Sequence, residues 1–214
     1  MRQALAAWQA QGVSFYGVCT GYLHTPHQAG IIENMLRQRM PAFVMVDPVM
    51  ADNGAFYSGL SEATAQAMRT LAAYASVITP NVTEAALLTG QAGLLRGPLS
   101  DADVRALLDG LLALGTKAAV VTGCFLAQEN MHYVYGRSAD GPVFRFAYRH
   151  SAVRRFGTGD TFSAVLAGCL MRGQSLEESA SAAVRFLGRA FEQAQSQPSC
   201  EDGFALESLL GELP

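Results

Sequence analysis

Short apolar runs separated by helical segments constrain the fold of this chain more than any other feature of its sequence. The first four runs have the length and composition of short strands. Parallel strands need a crossover connection between them, and a helix is the usual one. The alternation therefore predicts an α/β fold with a mostly parallel sheet and helices on both faces.

Caps, turns and breakers set the predicted limits of the individual elements. The predicted strands cover residues 15–19, 42–46, 76–79 and 117–122, followed by 131–135 and 143–148 as a hairpin around Asp140-Gly141. The predicted helices cover residues 2–11, 26–39, 61–74, 83–89, 100–114, 160–171 and 175–193. Since no repeat, low-complexity tract or linker interrupts this order, we expect residues 1–214 to form a single domain.

Composition restricts the class of protein further. Half of the 214 residues are hydrophobic, 15% are charged and the net charge is -3, so we expect a globular domain without a nucleic-acid partner. We find neither a signal peptide nor an apolar run long enough to cross a membrane. The four cysteines form no CxxC pair. Buried thiols in a reducing cytoplasm are the expected state.

A glycine-rich turn that leads directly into an amphipathic helix, residues 156–162, is the strongest functional signal. The first amides of a helix lack internal partners, and glycine lets an anion approach the backbone, so Gly157 and Gly159 fit a phosphate site. The carboxylate of Asp160 would repel a phosphate unless it removes a proton from an attacking hydroxyl. It would also serve as an ordinary helix cap. From this motif alone, the two interpretations are about equally supported.

Oxygen-bearing side chains follow each predicted parallel strand, where ligands bind in sheets of this kind. They are Tyr22 after the first strand, Asp47 after the second, Asn81 and Glu84 after the third, and Thr122, which Gly123 follows, after the fourth. Taken singly, Asn81 fits a turn and Glu84 fits the first turn of a helix. The joint spacing favours a site for a hard cation and a polyphosphate. The arginines before the glycine turn, including Arg154, fit either a solvated loop or a phosphate clamp.

Five motifs occur in an order that resembles the ribokinase-like vitamin kinases, and most of all the pyridoxal (pyridoxamine) kinases. The motifs are Thr20-Gly21-Tyr22-Leu23, Asp47-Pro48-Val49-Met50, Thr79-Pro80-Asn81-x-x-Glu84-Ala85, Val121-Thr122-Gly123 and Gly157-Thr158-Gly159-Asp160. The resemblance extends over roughly residues 1–195. The last motif alone would indicate only the superfamily, whereas the set is specific.

The resemblance implies an ATP-dependent kinase that phosphorylates the 5′-hydroxymethyl group of a B6 vitamer (pyridoxal, pyridoxamine or pyridoxine) with Mg²⁺. It implies that Asp160 is the catalytic base and that the amides of Gly157, Thr158 and Gly159 surround the transferred phosphoryl group. The resemblance also implies that Asp47, Asn81 and Glu84 bind magnesium, mostly through water. Nucleotide binding is implied for Asn81, Thr122, Gly123, Arg154 and Phe156. Substrate binding is implied for Tyr22 and Asp160. A homodimer is implied as well, because the family is commonly dimeric.

The sequence departs from this family at its start. Members begin with a strand, a substrate-holding segment and a small lid, all before the helix with which this chain opens. The resemblance therefore implies an N-terminally truncated form of the fold. We expect unpaired strand edges and uncovered apolar surface to make the chain poorly soluble or self-associating.

Two other functions stay open at this stage. The hydroxymethylpyrimidine kinases of thiamine synthesis share the second and third motifs, but they usually carry cysteine where this chain has Asp160 and they lack the turn at Tyr22. An inactive protein that retains only the nucleotide contacts is the second alternative. In the family, the N-terminal segment at which this sequence departs normally supplies polar contacts to the pyridine ring of the vitamer.

Overall fold

A six-stranded sheet forms the centre of the structure, a computed structural model that describes residues 1–149, 155–196 and 203–213. The strands, in chain order, are β1 (Gly17–Thr20), β2 (Phe43–Val46), β3 (Ala51–Asp52), β4 (Ala55–Phe56), β5 (Val77–Ile78), β6 (Ala118–Leu126), β7 (Met131–Ser138) and β8 (Phe144–Tyr148). The helices are α1 (Arg2–Ala10), α2 (Pro26–Gln38), α3 (Glu62–Ala72), α4 (Val82–Leu88), α5 (Asp101–Ala113), α6 (Thr158–Met171) and α7 (Leu176–Ser196). Short 3-10 helices occupy Ala92–Arg96 and Leu206–Glu212.

The order of strands in the main sheet is β1-β2-β5-β6-β7-β8. The first four of these strands are parallel to one another, and the last two add to β6 in antiparallel fashion. Strands β3 and β4 form a separate antiparallel pair. The mostly parallel α/β architecture predicted from the alternation of elements is therefore confirmed.

Helices cover both faces of the sheet because successive strand residues point in opposite directions. In β2, Val44 and Val46 contact the core beneath α2, α3, α4 and α5, whereas Met45 contacts the core beneath α6 and α7. All three side chains are fully buried. A central strand with no exposed face explains why its sequence is continuously apolar rather than alternating.

The structure differs from the predicted elements at two places near the carboxyl ends of the strands. Strand β6 continues past the predicted end at residue 122, because an irregularity between Val121 and Cys124 lets the pairing with β7 resume. Gly123 lies in this irregularity with a φ of +73°, which a residue with a side chain rarely adopts. The β3–β4 hairpin was not predicted, since strands of two residues are too short to show a periodic pattern.

The edge of the sheet at β1 carries the most exposed apolar surface. Helix α1 contains no buried residue, and Trp8, Phe15 and Tyr16 are 43%, 41% and 68% exposed. A groove of about 300 Å³ separates α1 from α2. Within the described ranges, no helix combines the length and apolar character that crossing a membrane requires.

Candidate functional site

Backbone hydrogen bonds join the segments that follow the four parallel strands into one continuous rim. The amide of Asp47 donates to the carbonyl of Thr20 at 3.0 Å, and the amide of Thr122 donates to the carbonyl of Pro80 at 3.0 Å. Asn81 and Thr122 form a parallel bridge just beyond β5 and β6. The residues predicted at the ends of neighbouring strands are therefore adjacent in space.

Asp47 follows β2 and is buried, and its carboxylate accepts a hydrogen bond from the Ser163 hydroxyl of α6 at 2.8 Å. Burial raises the pKa of Asp47 to about 6, although the hydrogen bond from Ser163 acts in the opposite direction. The negative charge of Asp160 raises the pKa of Asp47 further. The charge of Asp160, the base predicted from the glycine turn, therefore acts on Asp47, the carboxylate predicted at the end of β2.

Glu84, in the first turn of α4, is buried among backbone amides. One carboxylate oxygen accepts from the amides of Met50 at 2.9 Å and Ala51 at 3.4 Å, and the other accepts from Asn81 at 2.9 Å. Burial raises the pKa of Glu84 to about 7, the amides oppose this increase, and the charge of Asp47 adds to it. The carboxylate of Glu84 therefore stabilises the backbone at Met50, Ala51 and Asn81.

The side chain of Asn81 is also engaged by the backbone. Its oxygen accepts from the amide of Glu84 at 3.0 Å, which caps α4, and its nitrogen donates to the carbonyl of Ala51 at 2.8 Å. The turn and cap expected for Asn81 and Glu84 individually are therefore present. Their roles toward a metal ion or a nucleotide stay predictions.

The rim carboxylates fit a hard cation that is held partly by water and substrate. Among the described residues, no basic side chain lowers the pKa of Asp47 or of Glu84, whereas the charge of Asp47 raises the pKa of Glu84. No group of three His, Cys, Asp or Glu side chains in the described part of the chain is placed to hold a metal ion by itself. Mg²⁺ commonly takes only one or two protein carboxylates and completes its shell with water and phosphate oxygens.

The glycine turn leads directly into the first turn of α6. Gly157 has a φ of +81°, in the left-handed region that favours glycine, and precedes the first helical residue. The hydroxyl of Thr158 donates to the carbonyl of Arg155 at 2.9 Å. Among the described residues, no hydrogen bond uses the amides of Thr158, Gly159 or Asp160. These amides are therefore available to an anion.

The remaining predicted site residues are less tightly held. Tyr22 is 51% exposed and its hydroxyl lies 3.0 Å from Nδ1 of His24. Phe156 is 77% exposed beside the glycine turn. Arg154 lies outside the described residues. The structure thus brings the rim residues together with the start of α6, whereas among the described residues no hydrogen bond or ring contact joins Tyr22 or Phe156 to that group.

Three residues to which the sequence analysis gave no site role belong to the same region. Ser163 follows Asp160 by three positions, and side chains with this spacing share a helix face, so the motif itself carried the signal. The Tyr148 hydroxyl accepts a hydrogen bond from the amide of Gly123, a contact across the sheet that no local pattern reveals. Thr20 is only 7% exposed, and its hydroxyl has no partner among the described residues.

The mostly parallel sheet with helices on both faces is the ribokinase-like fold. The model of the family described as phosphomethylpyrimidine kinase matches residues 3–203. The chain therefore belongs to this family.

Curated relatives of the chain act on two kinds of substrate. The chain is 31% identical over 205 residues to a pyridoxine/pyridoxal/pyridoxamine kinase of Bordetella avium, covering 90% of this chain and 66% of the relative. It is 32% identical over 150 residues to a hydroxymethylpyrimidine/phosphomethylpyrimidine kinase of Rhizobium meliloti, covering 70% and 54%. The chain thus spans about half to two thirds of the length of these relatives.

Two solved structures share the fold over most of the chain. A Bacteroides thetaiotaomicron protein, provisionally described as a phosphomethylpyrimidine kinase and crystallised with pyridoxal, superposes with a TM-score of 0.91 and 27% identity, covering 100% of this chain and 76% of that one. The ADP complex of Bacillus subtilis pyridoxal kinase superposes with a TM-score of 0.73 and 26% identity, covering 88% and 69%. The predicted resemblance to the ribokinase-like vitamin kinases is confirmed.

Proposed function

We propose that this protein transfers the γ-phosphoryl group of ATP to the 5′-hydroxymethyl group of a B6 vitamer. The observation that carries the proposal is the 2.8 Å hydrogen bond from Ser163 to the buried Asp47, which joins the first turns of α6, where Asp160 lies, to the rim. A base beside a metal-side carboxylate and free helix amides is the arrangement that phosphoryl transfer requires. The neighbours solved with pyridoxal and with ADP support both substrates.

In this proposal, each part of the rim has one task. Asp160 accepts the proton of the 5′-hydroxyl as its oxygen attacks the γ-phosphorus, the bond to the β–γ bridging oxygen breaks, and ADP leaves. The amides of Gly157, Thr158 and Gly159 hold the transferred phosphoryl group. When bound, Mg²⁺ neutralises charge on the phosphate oxygens.

The other rim residues orient the metal and the two substrates. Asp47, Asn81 and Glu84 would hold Mg²⁺, mostly through water. Thr122, Gly123, Asn81, Arg154 and Phe156 would contact the nucleotide, and Tyr22 would lie beside the pyridine ring. A homodimer and a cytoplasmic location complete the proposal.

Hydroxymethylpyrimidine kinase is the second candidate function, because the Rhizobium relative is named a hydroxymethylpyrimidine/phosphomethylpyrimidine kinase and the matching family model is described as phosphomethylpyrimidine kinase. The presence of Asp160 and of the turn at Tyr22 favours the B6 vitamer. An ADP-release assay with pyridoxal, pyridoxamine, pyridoxine and hydroxymethylpyrimidine separates the two. We expect turnover with at least one B6 vitamer; turnover with the pyrimidine alone would favour the second candidate.

The same assay tests a third outcome, an inactive nucleotide-binding protein. Binding of ATP without turnover of any of the four substrates would contradict both kinase proposals. A second preparation of the chain, extended upstream if the reading frame allows, serves as the matched sample, because the relatives are longer than this chain. Activity in the extended form alone would assign the reaction to the longer protein.

A further inference from the structure

A hydrogen-bonded chain of three side chains crosses the rim beneath the proposed reaction centre. The Ser163 hydroxyl lies 2.8 Å from a carboxylate oxygen of Asp47 and 3.2 Å from the hydroxyl of Thr79. These residues come from α6, from the end of β2 and from the end of β5. Thr79 is buried and Ser163 is half-buried, so solvent competes little for these bonds.

The donors in this chain run in one direction. A carboxylate only accepts hydrogen bonds, so the single hydroxyl proton of Ser163 is directed to Asp47. The Thr79 hydroxyl must then donate to Ser163. Hydrogen bonds in such a series polarise one another, which strengthens the bond to the carboxylate.

The behaviour of Ser163 is unusual for a serine within a helix. Such a hydroxyl ordinarily bonds to the carbonyl one turn earlier, as Ser179 does in α7, where it donates to the carbonyl of Ser175 at 2.7 Å. Ser163 instead bonds to two other elements. It also follows Asp160 by three residues on the same helix, so the bond to Asp47 fixes the start of α6 relative to the end of β2.

We propose that Ser163, backed by Thr79, is a positioning residue that holds the Asp47 carboxylate toward the cation and sets its placement relative to Asp160. This inference rests on the proposed function. The bond from Ser163 is the one hydrogen bond that the described residues make to the Asp47 carboxylate. Without it, the carboxylate is free to rotate away from the position in which it serves the metal.

The experiment measures Mn²⁺ binding in the presence of ADP by electron paramagnetic resonance, using the full chain. We expect Ser163→Ala to weaken Mn²⁺ binding about tenfold, the usual scale for losing a hydrogen bond to a charged group. The Mg²⁺ concentration needed for half-maximal turnover should rise by a similar factor, while ADP binding in EDTA stays unchanged. Ser163→Thr, which keeps the hydroxyl, should restore Mn²⁺ binding.

Ser179→Ala is the matched control, because it also removes a helical serine hydroxyl but lies in α7, away from the rim. We expect it to leave Mn²⁺ binding unchanged. Thr79→Val should weaken Mn²⁺ binding by about threefold, and Thr79→Ser should not. In the Ser163→Ala background, Thr79→Val should have no further effect, because Thr79 acts through Ser163.

Each outcome bears on the inference. If the native chain binds Mn²⁺ with ADP and turns over substrate, but Ser163→Ala matches it in both measurements, the positioning role is wrong and the proposed function stands. If the native chain neither binds Mn²⁺ with ADP nor turns over substrate, the proposed function fails and the inference fails with it. If Ser163→Ala does not fold, equal Mn²⁺ binding by Thr79→Val and Thr79→Ser overturns the inference.

Discussion

The rim at the carboxyl ends of the strands and the edge of the sheet at β1 are opposites in how their side chains are held. At the rim, Asp47 and Glu84 are buried and hydrogen-bonded, and the charge of Asp47 raises the pKa of Glu84. At the β1 edge, aromatic side chains such as Trp8 and Tyr16 are exposed, and α1 buries none of its residues. The contrast shows that buried, hydrogen-bonded polar side chains are concentrated where the chemistry is proposed, whereas few contacts fix the side chains at the β1 edge.

The largest effect on the comparison is expected from removing Asp160, the proposed base beside the rim. Asp160→Asn keeps the shape of the side chain but cannot accept the proton, so we expect turnover to fall about a thousandfold with nucleotide binding unchanged. ADP release and nucleotide titration check the two parts separately. Asp140→Asn, in the exposed hairpin turn, is the control and should retain full turnover. Full turnover by Asp160→Asn would remove the base from the mechanism.

The next largest effect concerns the stability of the rim. Glu84→Ala leaves the amides of Met50, Ala51 and Asn81 without their acceptor, and we expect a loss of about 3 kcal/mol in the free energy of unfolding. Urea denaturation measures this loss. Glu192→Ala removes an exposed carboxylate that pairs with Arg189 on the surface and should cost less than about 0.5 kcal/mol. Equal losses in the two variants would mean that the rim is no better determined than the surface.

A pH-dependent stability should distinguish the rim from the rest of the molecule. Burial raises the folded-state pKa of Asp47 from 3.8 to about 6. Between these two pH values, the folded state therefore keeps a proton that the unfolded state has already released. The stabilisation from that proton is complete at acidic pH and is lost as the pH rises from about 4 to about 6. We therefore expect Asp47→Asn, in EDTA, to be more stable than the native chain by about 2 kcal/mol at pH 8.

The same comparison at pH 4.5 supplies the control for Asp47→Asn, because the native Asp47 is then largely protonated. We expect the two proteins to be nearly equal in stability at that pH when urea denaturation is followed in the same buffer series. A constant difference at both pH values would show that the effect of the substitution does not come from the buried charge.

The smallest expected effect lies at the β1 edge. Trp8→Ser should cost less than about 1 kcal/mol, because the side chain is already exposed, whereas Leu36→Ala in the buried face of α2 should cost about 3 kcal/mol. Sedimentation of the Trp8→Ser variant should show less self-association than the native chain. A loss for Trp8→Ser as large as that for Leu36→Ala would mean that the edge is packed in solution.

The sequence predicted the architecture well because the signals for it are local. Continuous apolar runs such as residues 42–46 and caps such as Ser100, which accepts from the amide of Asp103, depend on residues that are close in the chain. The placement of Asp47, Asn81 and Thr122 along one edge followed from the rule that parallel strands end at the same side of a sheet. What the sequence left unpredicted depends on contacts between distant segments, as in the hydrogen bond from Ser163 to Asp47 across 116 positions.

The hydrogen-bond partners of individual site residues were equally hard to predict. Asn81 and Glu84 were assigned to metal binding by resemblance, yet the structure shows both side chains bonded to the backbone around Ala51. The short β3–β4 hairpin that contains Ala51 leaves no periodic signal in the sequence. The partners of a buried polar side chain therefore become visible only when the segments that surround it are placed.

The attachment of that hairpin to α4 restricts how the site can move. Glu84 and Asn81 hold Met50 and Ala51, and the Thr83 hydroxyl accepts from the amide of Gly54 at 3.0 Å. A swing of the hairpin on its own would break all of these bonds at once. The hairpin and the first turn of α4 must consequently travel as one rigid unit.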